Sequence, residues 1–133
     1  MNIEVTGHAV PRLTRREAAA FVRKVLLALD EDFDVSIAFV DDDAMKNLNR
    51  KFRKTNKTTD VLTFPGDGPL LGEIVISVDQ ARRQAAGEKH SLAIEVRYLV
   101  LHGILHALGY DHETDNGEMN ALELKIRAKV GLD

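Results

Sequence analysis

Short runs of alternating or continuous apolar residues along the chain are separated by stretches in which apolar residues recur every three to four positions. The first kind predicts strands at NIEVTG, VSIAFV, VLTF and LGEIVISV. The second predicts helices. One opens at the capping box Thr14-Arg15-Arg16-Glu17 and runs to about Leu29, with Ala18, Phe21, Val22, Val25 and Leu29 on its buried stripe. A second, capped by Asp41 or Asp42, turns Met45, Leu48 and Phe52 inward. A third spans about Asp79 to Ala86 and ends near Gly87. Ser91 opens a long helix to Leu108 with Gly109 as its stop, and a last helix runs from about Asn116 to Val130. Pro65-Gly66 ends the third strand, and GDGPLLG reads as a turn. No repeat, low-complexity stretch or linker interrupts the series. The expectation is an α+β fold, one domain over residues 1–133, with a small mixed β-sheet of about four strands packed against helices.

Composition narrows the class. With 133 residues, 44% of them hydrophobic, the chain can bury a core without staples. Its net charge of -3 gives no global attraction to nucleic acid, so any such binding must come from a local patch. The absence of cysteine excludes disulfides and thiolate metal sites and fits a reducing compartment. The N-terminus lacks the basic-then-apolar pattern of a signal peptide, and no apolar run approaches the length of about 20 residues that spans a bilayer. A cytoplasmic protein without a membrane partner is expected.

Three features carry less than they first suggest. DEDFD resembles the start of a calcium loop, but Val35 stands where that loop needs glycine and Asp41 where it needs glutamate. The glycines of GDGPLLG match neither a Walker loop nor a dinucleotide fingerprint. His8 and His90, each alone beside an element end, suit surface or capping roles.

The chemistry concentrates in HGILHALGYDH, where three of the five histidines fall within one short segment. The helix YLVLHGILHAL is apolar on every side, so it is buried, and its imidazoles must have partners. His102 and His106, four residues apart, lie one above the other and can aim two nitrogens at one point. A continued helix would swing His112 off that face by roughly 120°. Gly109 can instead take the left-handed conformation that reverses the chain and returns His112 to the same place. Three imidazoles with an open position form the ligand set of a catalytic zinc. A three-histidine metal site at the end of a buried helix, holding one zinc ion per chain, is the expectation. The competing reading is a core histidine pair bonded to backbone carbonyls.

A second cluster lies upstream. Arg50, Lys51, Arg53, Lys54 and Lys57 place five positive charges in the eight residues from 50 to 57. Alone, the run fits a solvated loop that complements the preceding helix C-terminus. Beside a hydrolytic metal site it also fits an anionic polymer, held through phosphates rather than read by base stacking.

The histidine spacing matches that of metzincin proteases, but the glutamate that acts there as general base is Gly103 here. HGILHALGYDH instead resembles the signature of the YbeY family, bacterial metal-dependent endoribonucleases of ribosomal RNA maturation. LNRKFRKTNKTTDVLTFPG and LGEIVIS are similar to that family's basic segment and its two following strands, although Lys54-Thr55-Asn56 replaces the G-K-D often found after the arginine. The resemblance implies that His102, His106 and His112 are the zinc ligands and Arg53 the functional arginine. It also implies single-strand-specific cleavage in small-subunit rRNA 3′ end maturation and ribosome quality control, with the small ribosomal subunit or its assembly factors as partners. Arg50, Lys51, Lys54 and Lys57 are the candidate RNA-binding residues, and Asp111 a candidate to orient a ligand histidine. Two other readings stay open: an assembly factor with a structural metal and little nuclease activity, and an atypical metallopeptidase.

Overall fold

The computed structural model describes residues 1–54, 58–111 and 113–132. The elements run β1 (Ile3–Gly7), α1 (Arg15–Ala28), β2 (Asp34–Val40), α2 (Asp42–Arg53), β3 (Val61–Pro65), β4 (Leu70–Ser77), α3 (Val78–Glu88), α4 (Leu92–Ala107) and α5 (Glu118–Val130). The strand order is β1-β2-β4-β3. β1, β2 and β4 are parallel, and β3 is the antiparallel edge beside β4. This is the small mixed sheet expected from the alternation of elements. No helix among the described residues is long and apolar enough to cross a membrane.

Local chemistry explains where the helices begin. Thr14 Oγ1 accepts from the Glu17 N–H while the Glu17 carboxylate accepts from the Thr14 N–H, completing the capping box. Asp41, Ser77 and Ser91 cap α2, α3 and α4 by accepting from the N–H three residues on, without the reciprocal bond.

Both faces of the sheet are covered. Val35, Ile37 and Phe39 of β2 alternate onto the face packed by α1 and α4, where they join Ile74, Ile76, Val22, Val25, Leu101 and Ile104 in the main core. On the other face Met45 of α2 meets Leu62 and Val75, with Ala38 and Val40 beside them. α5 packs outside α1 and α4, contributing Met119, Ile126 and Val130. α4 is thus clasped on several sides, which is why it reads as apolar all round.

Some expectations fail locally. Phe52 is exposed rather than inward. The buried positions of α2 are Met45 and Asn49, and Phe52 instead meets the edge of the Phe64 ring at 5.2 Å between centroids. Leu26, not Leu29, completes the buried stripe of α1, because Leu29 is already the C-cap. α3 runs through Gly87 to Glu88 and ends where Lys89 takes φ +58°, with the His90 N–H bonded back to the Ala85 carbonyl. That turn carries the His90 Nε2 to 2.6 Å from Glu95, so His90 is a hydrogen-bonding partner of a buried carboxylate and not a capping residue. His8 remains largely exposed, near Asp41.

Gly103 explains how closely α4 approaches the sheet. A Cβ there would lie 2.8 Å from Ile74 Cγ2, and Ile74 is fully buried. The atom in the way is a methyl carried directly on the branched Cβ of a fully buried strand residue, so it cannot swing aside as the far end of a flexible side chain could. Gly103→Val should therefore destabilise the fold by about 1–3 kcal/mol through overpacking. Urea unfolding checks this; a wild-type midpoint would show that α4 can lift from β4 without cost.

Asp42, the first residue of α2, ties that helix to α3. Its carboxylate accepts two contacts from Arg83, at 2.8 and 2.9 Å, and one each from the Ser77 and Thr58 hydroxyls. The bond from Arg83, then that from Ser77, holds the Asp42 carboxyl below the usual aspartate range. A pKa depressed on folding adds stability above the unfolded value near 4, and this is lost as pH falls through the folded value. Asp42→Asn should therefore be less stable than wild type at pH 7, with the gap closing below about pH 4. Thermal melts across that range make the comparison, and a gap independent of pH would mean the ion pair contributes nothing.

Candidate active site

The site forms where α4 ends. Gly109 has φ +101°, its N–H donates to the His106 carbonyl at 2.9 Å, and the Tyr110 N–H donates to the Leu105 carbonyl at 3.1 Å. This is a Schellman turn with glycine in the left-handed position. A Cβ on Gly109 would meet nothing, so glycine is needed there for its backbone angle. Gly103, by contrast, is needed for its lack of volume. A glutamate at that position would strike Ile74, so the fold has no room for the base a metzincin places there.

His102 and His106 project from successive turns of α4. Their rings meet edge to face at 4.5 Å between centroids, and their Nε2 atoms are 3.0 Å apart. Two nitrogens bound tetrahedrally at 2.0–2.1 Å from one zinc ion would be separated by about 3.3 Å, so this convergence suits a shared ion. His102 Nδ1 faces Glu123 Oε1 of α5 at 3.4 Å. A carboxylate behind a ligand imidazole holds the proton on the rear nitrogen and the lone pair on the front one. His112 lies outside the described residues, so the third expected ligand has no position to report. Among the described residues no group of three metal-binding side chains is assembled.

The two histidines open onto a cleft of about 630 Å³. One wall comes from β3 and the residues before it: Thr59, Asp60, Val61, Thr63 and Pro65. The other is the turn after α4, with Tyr110, Asp111 and Glu113. Arg53, the last residue of α2, completes the rim. Lys54 takes φ +54° immediately afterwards, ending the helix there. The structure thus brings Arg53, His102, His106 and Asp111 to one cavity from distant parts of the sequence.

The remaining basic residues do not all follow. Arg50 bonds Asn47 Oδ1 at 2.6 Å, and the Lys51 ammonium lies 5.4 Å from the centre of the Phe52 ring. With Lys54 they stay exposed around the end of α2, and Lys57 lies outside the described residues. Among the described residues that line the cleft, carboxylates outnumber the guanidinium. Asp60 Oδ1 accepts from the Val61 N–H at 2.8 Å, and Asp111 Oδ1 from the Glu113 N–H at 3.0 Å. Asp111 thus shapes its own turn, and the carboxylate that faces His102 is Glu123. Sequence reasoning missed Glu123. Its only local signal is the i,i+4 pairing with Arg127 on a helix whose flanking residues Leu122 and Leu124 are apolar.

Comparison with known proteins agrees with this architecture. The family model described as Endoribonuclease YbeY matches residues 4–131. Endoribonuclease YbeY of Nautilia profundicola is 51% identical over 104 residues, covering 76% of this chain and 75% of that protein. The protein of the same name from Solibacter usitatus is 42% identical over 129 residues, covering 96% and 88%. The solution structure of TM1509 from Thermotoga maritima superposes with a TM-score of 0.72 at 29% identity, covering 96% of this chain and 88% of that one. One family model across nearly the whole chain, and relatives this similar along most of their own lengths, leave a single assignment: the chain belongs to the YbeY family of endoribonucleases.

Proposed function

We propose that this chain is a metal-dependent endoribonuclease that hydrolyses phosphodiester bonds within single-stranded ribosomal RNA in the cytoplasm. In this reading His102, His106 and His112 hold one zinc ion, and Arg53 contacts the reacting phosphate. One observation carries the proposal: the convergent imidazoles of α4 and the guanidinium at the end of α2 share one cleft. Imidazole nitrogens 3.0 Å apart, with a carboxylate behind His102, fit a divalent first-row ion, and this cysteine-free chain offers it no thiolate. His112 enters the ligand set through its spacing and the family resemblance. When bound, such an ion polarises a phosphoryl oxygen and lowers the pKa of a coordinated water toward about 7.

The chain's own groups supply the rest. The planar fork of Arg53 pairs with non-bridging phosphate oxygens and offsets the charge that develops there. Thr59 and Thr63 offer hydroxyls on the facing wall. Asp60 and Asp111 each have one oxygen fixed by a backbone N–H, which presents the second in a defined direction, as acceptance of a proton from an attacking hydroxyl requires. Arg50, Lys51, Lys54 and Lys57 neutralise phosphates flanking the cleft and make binding salt-dependent. Small-subunit RNA, with the subunit or its assembly factors as partners, follows from the family resemblance.

Elemental analysis should find about one zinc-like ion per chain in wild type, and little in His106→Ala purified identically. Equal metal in the two would remove His106 from the ligand set.

Arg53→Ala should lower the single-turnover cleavage rate of a labelled RNA at saturating enzyme by roughly 10²-fold, with metal content unchanged. Arg53→Lys should restore only part, since an ammonium lacks the bidentate fork. A wild-type rate at saturation in the alanine variant would reduce Arg53 to a binding residue.

A further inference from the structure

Glu123 lies on the face of α5 that meets α4, with a side chain only 14% exposed. Its Oε1 is 3.4 Å from His102 Nδ1, and its Oε2 is 3.5 Å from Nη2 of Arg127, one turn further along α5. The Arg127 guanidinium lies over the Tyr98 ring at 4.4 Å from its centre, and the Tyr98 hydroxyl donates to the Leu132 carbonyl at 2.9 Å. Tyr98 is itself one turn before His102 on α4. Four side chains, two from each helix, therefore make one connected series between the cleft and the far end of α5.

The series is costly to keep. Arg127 Nε is buried without a hydrogen-bond acceptor among the described residues, and an unmatched buried donor disfavours folding. Apolar side chains of similar length would join α4 to α5 without that cost. What they would not provide is a carboxylate fixed in direction behind His102. At 3.4 Å the contact is long for a charge-assisted bond, so its consequence is orientation more than binding strength.

We propose that Glu123 is a positioning residue for His102. It keeps the imidazole proton on Nδ1 and the Nε2 lone pair aimed into the cleft, while Arg127, seated on Tyr98, holds the carboxylate in place. The arrangement also leaves His102 Nε2 as the acceptor in its 3.0 Å contact with His106. Its functional meaning rests on the metal reading above, but the tautomer can be measured without metal.

The test uses the full chain, ¹⁵N-labelled at histidine, metal-free and at pH 8, with the His102 tautomer read from long-range ¹H–¹⁵N correlations. Zinc affinity follows by chelator competition, and thermal melts confirm that each variant is folded. Wild type should show the Nδ1–H form. Glu123→Ala should lose that preference and bind zinc about 10–100-fold more weakly. Glu123→Gln should recover most of both, because its amide oxygen still accepts from Nδ1–H. Arg127→Met, which keeps side-chain length, should weaken zinc binding by a smaller factor through the loosened carboxylate. Wild-type tautomer and affinity in folded Glu123→Ala would overturn the proposal. So would a glutamine variant as impaired as alanine, because charge rather than orientation would then be decisive. If wild type takes up no zinc, the metal reading fails, and the tautomer still decides whether Glu123 positions His102.

Discussion

Close contact between α4 and β4 is the constraint on which the site depends. Where Gly103 crosses Ile74, the helix lies nearer the sheet than any side chain at that position would permit. The neighbouring residue is His102, and His106 follows one turn later. A helix lifted by an added side chain would move both imidazoles relative to the wall formed by Val61, Thr63 and Pro65 of β3. It would also separate them from Arg53, which reaches the cleft from the opposite face of the sheet. Sites of this kind need placement to within about half an ångström, and packed helices and strands hold that better than loops do. Here the missing side chain at position 103 sets the distance, and the left-handed turn at Gly109 sets the direction in which the chain leaves.

Burial on several sides obliges α4 to find partners for each polar group it carries. Glu95 meets His90 from the turn after α3 and Gln84 from within α3. Tyr98 bonds the Leu132 carbonyl just past the end of α5, and His102 faces Glu123 in the middle of it. Each partner comes from an element that also packs against α4 through apolar contacts. Hydrophobic burial is non-directional and tolerates sliding, whereas these bonds are made at one relative position only. Their net energies are modest, near 1 kcal/mol each, so their larger effect is to select one docking of α3 and α5 on the central helix.

Much of this was legible in the residues. The capping box at Thr14, the cap at Ser91 and the stop at Gly109 rest on local hydrogen bonding and backbone angle, which neighbouring residues determine. The apolar girth of α4 announced its burial, and the four-residue spacing put His102 and His106 on one line. What escaped depended on where elements end in space. Phe52 sits at a helical position that points inward only if the sheet extends beneath it, and at the edge strand it meets Phe64 instead. Gly87 looked like a helix stop because glycine readily ends helices, yet Lys89 accepts the left-handed angle and places His90 on Glu95. Glu123 was hidden because a surface i,i+4 pair with Arg127 looks the same in sequence whether or not an imidazole lies behind it.

The charge distribution separates attraction from reaction. Arg50, Lys51 and Lys54 surround the end of α2 in solvent, where, in the proposed reading, their field would draw an anionic strand toward the cleft and be screened by salt. At the cleft itself, Arg53 on the rim shares the lining with Asp60, Asp111 and Glu113. A cleft lined only by cations would hold a phosphodiester as firmly before reaction as during it, and such uniform binding does not speed the chemical step. On the same reading, carboxylates beside a guanidinium would disfavour idle anions while leaving a donor for the charge that appears only as the phosphate reacts. In the proposed function, the basic run outside would gather an anionic polymer through general charge, and Arg53, the one guanidinium among the described residues lining the cleft, would be reserved for the reacting bond.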